Sequence, residues 1–301
     1  MFDIQHFIAS LSLSCPGLRI FYSALEIDGY KSAHKAIPLL PESLVDRIPT
    51  TGIPEPEAWR GKFEKWLDQY GTGEGTEPVI VHLGRSYMQY PIYSDGEDFA
   101  HSFGNILKFR ADVRILATNP LLAISKVYDL PMDLNAPIIK DAFFGCHLRT
   151  EQDAAEGWPT GDWSFASYAS QSTHYLEQAA RSSPAFIYVA SGDWDEISRF
   201  KSDGTSAKMN VTTKFDLLTD DDLVILDKLA WDQQALVDYL VLLKSSDFGG
   251  VSHSSFAWNI ALKRHLLSHI MGYLDEPQML SDKYSQIYGV SRAYPEYAVC
   301  L

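Results

Sequence analysis

The 301-residue chain carries a formal net charge of -14, so it lacks the basic face that a nucleic-acid backbone binder needs. Its 46% apolar and 13% aromatic content is enough for one large or two modest cores, and no segment has the uninterrupted apolar length of a membrane span. The three cysteines, Cys15, Cys146 and Cys300, lie far apart with no CxxC pair, which excludes a zinc ribbon; Cys146, inside an apolar run, reads as a buried thiol.

In chain order, "FDIQHFIASLSL" has apolar residues at helical spacing, "CPG" stops it, and "LRIFYSAL" reads as a strand. Residues 38–57 are proline-rich and read as a loop. "EAWRGKFEKWLDQY" predicts an amphipathic helix with Trp59, Phe63 and Trp66 on its inner face, followed by the strand "VIVHLG". The intervening "GTGEGT" follows a helix and precedes a strand, the reverse of a phosphate loop, so it is a connection. "SFGNILKFRADVRILATN" predicts a helix, and the turn-rich "PMDLNAPII" marks a domain boundary near 138. From there strands alternate with helices: "AFFGCHLR", "SYASQSTHYLEQAARSS", "AFIYVASG", "WDEISRFKS", "AKMNVTT", "WDQQALVDYLVLLKSS", "DFGGVSH", "SSFAWNIALKRHLLSHIMG". That alternation means βαβ units and a parallel sheet, whose ligands bind at the carboxyl ends of the strands.

Three strand ends carry polar groups. The first has His147, Arg149 and Asp153. A guanidinium there is suited to clamp a phosphate bidentately, with Asp153 orienting it or accepting from a sugar or base; the plain alternative is a peripheral Arg–Asp ion pair. The second, "YVASGDWDE", places Asp193 between strand and helix, as a helix N-cap or a ligand contact. The third, "SHSSFAWNIALKR", sets Ser254 and Ser255 where a strand gives way to a helix, a ready site for a diphosphate, with Phe256 to pack on a base or in the core. No DxD-like metal site falls at a strand end; "TDDDL" reads as helix-capping acid. His265 and His269 are spaced for a metal pair but have no evident third ligand.

"HLRTEQD", "IYVASGD" and "ALVDYLVLLKSSDFGGVSHSSFAWNIALKR", in this order, resemble the three later motifs of the protein O-fucosyltransferase-like glycosyltransferases, in particular fungal-type members. "FDIQHFIASLSLSCPGLRI" resembles the segment after that family's first motif. The resemblance implies an α/β, GT-B-like fold of two Rossmann-like domains facing a cleft. Residues 1–138 would form the acceptor-side domain and residues 139–301 the nucleotide-sugar-binding domain. It implies GDP-fucose as donor, no metal, and inverting transfer to a protein Ser/Thr or a glycan hydroxyl. Residue by residue, it makes Arg149 the catalytic contact to the donor diphosphate. It adds His147, Asp153, Asp193, Asp238, Ser254, Ser255 and Phe256 as substrate-binding positions.

The family's Gly- and Asn-rich first motif does not precede "FDIQHF", so the N-terminal domain is expected to be incomplete at its start. The alternative expectation is a catalytically inactive relative that binds a nucleotide sugar or glycan. By the resemblance the protein belongs in the secretory lumen if a signal precedes this segment; otherwise it is cytoplasmic. A plain α/β hydrolase or dehydrogenase is disfavoured, because neither G-x-S-x-G nor a well-placed G-x-G-x-x-G occurs.

Overall fold

The computed structural model describes residues 1–14, 16–17, 19–21, 23–26, 37–39, 56–70, 80–83, 103–161, 163–182, 184–275 and 280–289. The chain divides into two compact units, Phe109–Tyr294 with Met1, and Phe2–Lys108 with Pro295–Leu301. Residues 109–138, expected in the N-terminal domain, therefore belong to the unit that carries the three strand-end motifs.

In the smaller unit, α1 (Ile4–Ser14) and α2 (Pro56–Asp68) accompany a parallel pair of short strands, β1 (Ile37–Leu39) and β2 (Val81–Leu83). Trp66 is buried as the amphipathic pattern predicts and packs with Phe63 and Tyr70. The Trp59 side chain, most of the 38–57 loop and the "GTGEGT" connection lie outside the described residues. The strand expected at "LRIFYSAL" is not formed where the segment is described: Ala24–Glu26 is a 3-10 turn, and the strand lies further on, at β1.

The larger unit is an α/β structure built on a five-stranded parallel sheet in the order β5-β4-β3-β6-β7. Its strands are β3 (Phe144–His147), β4 (Ile187–Ala190), β5 (Val211–Thr212), β6 (Asp247–Val251) and β7 (Ser285–Tyr288). Helix α3 (Ala111–Val127) starts later than its sequence pattern suggests, after a 3-10 turn at Phe103–Ile106, and continues past Pro120. The remaining helices are α4 (Gln152–Gly157), α5 (Tyr168–Ser182), α6 (Trp194–Ser206), α7 (Lys214–Leu217), α8 (Asp220–Leu226), α9 (Trp231–Leu243) and α10 (Ser255–Ile270).

Both faces of the sheet are covered, which is why its strands are apolar without a polar alternation. Phe143, Tyr188 and Phe248 pack with α3, α9 and α10 on one face. Phe144, Cys146, Ile187 and Val189 pack with α5 and α6 on the other, so Cys146 is the buried thiol that the sequence predicts, and burial pushes its pKa up. The chain steps outward from β3 through β4 to β5, then returns to the other side of β3 with β6 and β7. The switch point therefore falls between β3 and β6, where an open parallel sheet leaves a crevice at its carboxyl edge.

Two features fix α10 over that point. A Cβ at Gly250 would lie 2.5 Å from the Ala257 Cβ, so only glycine lets the first turn of the helix approach β6 this closely. Further along, the fully buried Arg264 guanidinium donates to the carbonyls of Leu242, Leu243 and Ser245, to the Ser285 hydroxyl and to the Tyr284 carbonyl, at 2.7–3.1 Å. It thereby satisfies the last carbonyls of α9 and binds them to β7. Burial lowers its pKa to about 10, which still leaves it charged at neutral pH. Arg264→Met leaves these buried acceptors without their donor and should cost about 3 kcal/mol or more in a denaturant titration; a loss below about 1 kcal/mol would show the network to be dispensable.

Candidate functional site

The first and third strand ends meet across the switch point. His147 ends β3, and its Nδ1 is 3.2 Å from the hydroxyl of Ser254, which caps α10 by accepting from the Ala257 N–H. That hydroxyl donates to Nδ1 when the neutral ring carries its proton on Nε2, and accepts from Nδ1 in the other neutral tautomer. The Phe256 ring lies 4.6 Å from the His147 ring. Burial, and then repulsion from Arg149 and His253, outweigh the attraction of Glu151 and bring the His147 pKa down to about 4. Ser255, the first residue of α10, is exposed.

Two residues beyond β3, Arg149 is neither free nor in a simple surface pair. Its Nη1 donates to Glu151 Oε2 at 2.7 Å, and its two terminal nitrogens donate bidentately to Asp153 at 2.9 and 2.7 Å. The Arg149 and Glu151 side chains are 16% and 15% exposed and that of Asp153 71%, so one carboxylate is held inside and the other lies in solvent. Burial opposes the Arg149 charge, but the bonds to Asp153 and Glu151 outweigh it and raise its pKa. The same guanidinium holds the Asp153 carboxyl below its usual range. Burial also opposes ionisation of Glu151; His147, the Gly192 N–H and Arg149 together overcome it and lower that pKa.

The sequence pattern does not single out Glu151, yet Glu151 ties the first strand end to the second. Its Oε1 accepts from the Gly192 N–H at 2.9 Å and lies 3.5 Å from the Ser191 hydroxyl, both just past β4. The offset of two residues from Arg149, with an apolar strand before it, was the available signal. Asp193 has the plainer of its two expected roles: it caps α6, accepting from the N–H groups of Asp195 and Glu196 at 3.1 Å.

Asp238 stands apart from this cluster. It is buried on α9, where one carboxylate oxygen accepts from Lys214 Nζ at 2.6 Å and the other from the Tyr188 hydroxyl at 2.7 Å. Both oxygens are thus engaged in an internal ion pair. The histidines of α10 have separate partners, His265 the Asp282 carboxylate and His269 the Leu274 carbonyl, and no cluster of metal-ligating side chains occurs among the described residues.

His253, immediately before the α10 cap, is 6% exposed, and neither ring nitrogen has a hydrogen-bond partner; the Thr150 hydroxyl is likewise buried and unpartnered. The Trp158 and Trp163 rings lie 5.5 and 6.4 Å from the His253 ring. Burial is the largest influence on the His253 pKa and lowers it. Buried polar atoms of this kind are groups that a ligand or ordered water would satisfy.

No protein-family model matches the chain, and no curated protein matches it in sequence. Among solved structures it is similar to POFUT1 in complex with GDP-fucose, at 12% identity and a TM-score of 0.45, over 80% of this chain and 62% of that one. POFUT1 in complex with GDP aligns at 12% identity and 0.44, over 76% and 61% of the two chains. Another crystal form of the GDP complex aligns at 11% and 0.44, over 96% and 84%. The chain spans about three fifths of the length of the first two, and these similarities assign no role to any residue here.

Two outcomes follow from the geometry. Asp238→Ala strands the Lys214 charge in the core and should cost about 3–5 kcal/mol in chemical unfolding, most of it recovered in the Lys214→Met/Asp238→Leu double variant. If the single variant is as stable as the parent chain, Asp238 is not a structural partner. For His147, the unfolded state takes up a proton near the usual histidine pKa of 6.5, whereas the folded state resists until about 4. Stability should therefore be independent of this group above pH 6.5 and fall as pH drops from 6.5 towards 4, by on the order of 3 kcal/mol. His147→Gln should lack that part of the slope; identical pH profiles for the two proteins would refute the assignment.

Proposed function

We propose that the chain binds a nucleotide sugar, GDP-fucose by the resemblance of its strand-end motifs, and transfers fucose with inversion to a hydroxyl of a protein Ser/Thr or a glycan. One observation carries this reading. His147, Ser254 and Phe256, drawn from two motifs more than a hundred residues apart, meet at the switch point of a parallel sheet, where the N-terminus of the 16-residue α10 opens, and Arg149 follows two residues beyond the end of the same β3.

In the reaction the acceptor oxygen attacks the anomeric carbon from the face opposite the diphosphate, the bond from that carbon to the β-phosphate oxygen breaks, and the acceptor hydroxyl proton is released to the departing phosphate or to water. The electron pair leaves with GDP, whose negative charge grows towards the transition state. Arg149 would meet that charge together with the N–H groups at the start of α10, and a guanidinium helps most where charge develops. In this reading these groups supply the counter-charge without a metal. His147, neutral and bonded to Ser254, holds the cap hydroxyl in place, and Phe256 offers its face to the base. The same resemblance would put the protein in the secretory lumen if a signal precedes this segment, and in the cytoplasm otherwise.

The alternative of a non-catalytic binding relative has one observation in its favour: Arg149 is already neutralised by two carboxylates. Calorimetric titration with GDP and GDP-fucose tests the shared premise, and a fucose-transfer or donor-hydrolysis assay separates the two readings. Arg149→Ala should weaken GDP binding by about tenfold or more, as expected for loss of a charge-assisted bond. A change within about a factor of two would remove Arg149 from the phosphate site.

A further inference from the structure

We infer that the Arg149 guanidinium, the Gly192 N–H and the Ser191 hydroxyl form a seat for a phosphate oxyanion, and that the Glu151 carboxylate fills this seat until a nucleoside diphosphate displaces it. The inference rests on the reading that Arg149 meets the donor diphosphate, and adds where the phosphate goes and what competes for the place.

The donors come from two neighbouring strands. His147 of β3 pairs with Ala190 of β4, so the residues just beyond these ends are brought side by side. Arg149 reaches in from one, at 2.7 Å from Glu151 Oε2, and Gly192 N–H from the other, at 2.9 Å from Oε1. The Ser191 hydroxyl, which accepts from the Asp193 N–H and so keeps its own proton to donate, completes the seat at 3.5 Å. A cation, a main-chain N–H and a hydroxyl converging on two oxygens of one planar anion are the donors that a phosphate group requires.

The occupant is strongly confined. The Glu151 side chain is only 15% exposed. A Cβ at Gly192 would lie 3.3 Å from Glu151 Oε1 and 3.2 Å from Trp231 Nε1, so glycine provides the room for an oxyanion between the strand end and the indole. Asp153, bidentate on Arg149 from the solvent side, keeps the guanidinium oriented when Glu151 departs. Exchange then replaces one carboxylate by one phosphate oxyanion, and Arg149 is never left without an anionic partner.

The test is calorimetric titration of the full chain with GDP and, separately, inorganic pyrophosphate, for the parent protein, Glu151→Gln, Glu151→Ala and Glu151→Gln/Arg149→Ala. Glutamine has no charge and a single acceptor oxygen, so it competes poorly for both donors at once. The expected result is that both single variants bind GDP about tenfold or more tightly than the parent, and that the gain vanishes when Arg149 is also replaced. Unchanged or weaker binding in both would overturn the inference. If Arg149→Ala weakens GDP binding in the parent protein while neither Glu151 variant gains affinity, the functional reading stands and this inference falls. If neither the parent nor the Glu151 variants bind GDP, both fall. If both Glu151 variants melt below the assay temperature, Glu151 is a structural counter-ion and the inference is overturned.

Discussion

The geometry of the crevice depends on one buried cation. Arg264 lies in the middle of α10 with no exposed surface, and its bonds go mainly to carbonyl oxygens of the α9 end, the following turn and the lead-in to β7. A helix end inside a protein leaves carbonyls that water cannot reach, and the guanidinium supplies donors to them in one rigid plane. The same bonds prevent α10 from sliding along the sheet. With its middle pinned there and its first turn pressed on Gly250, the helix can deliver Ser254 to one place only, beside His147 at the end of β3.

The electrostatics of the crevice follow from the burial that this packing imposes. A histidine enclosed next to a guanidinium cannot hold a proton at neutral pH, so His147 serves as a neutral partner to Ser254 and adds no charge. Glu151 and Asp153 more than offset the effect of burial on Arg149 and raise its pKa. In a chain of net charge -14 such a guanidinium would not lack anionic neighbours, and the relevant contrast lies between the two that it has. Asp153 is mostly in solvent and is worth little as a competitor. Glu151 is enclosed and also satisfies the end of β4, so it is the carboxylate that a bound phosphate has to match.

Much of this was legible in the sequence, for identifiable reasons. Apolar runs of strand length alternating with helical periods reveal a parallel sheet, and the rule that ligands gather at carboxyl ends selects the segments around His147, Asp193 and Ser254. Pattern reading finds which face of an element is buried, but it does not find partners distant in sequence. Arg264 looks like one more basic residue on an amphipathic helix until the ends of α9 and β7 close on it. Glu151 looks like a loop acid until β4 pairs with β3 and brings Gly192 alongside. The turn-rich 131–139 segment reads as a domain boundary, whereas the larger unit begins at Phe109, and α3 shares one core with α9. Turn composition marks where a chain bends, and only packing decides to which core the preceding helix belongs.

Asp238 shows how a motif position and a contact position can differ. The resemblance places it among the donor-binding residues, while the structure engages both of its oxygens inside the core. Its partners, however, are not arbitrary. Tyr188 belongs to β4, two residues from the strand end, and Lys214 opens α7 directly after β5. Tying α9 to both, the Asp238 carboxylate fixes the edge of the sheet from which Ser191 and Gly192 project. An acid retained there for packing would influence the oxyanion seat through the placement of β4 without touching a ligand. A residue in that position acts on affinity through the strand that it holds.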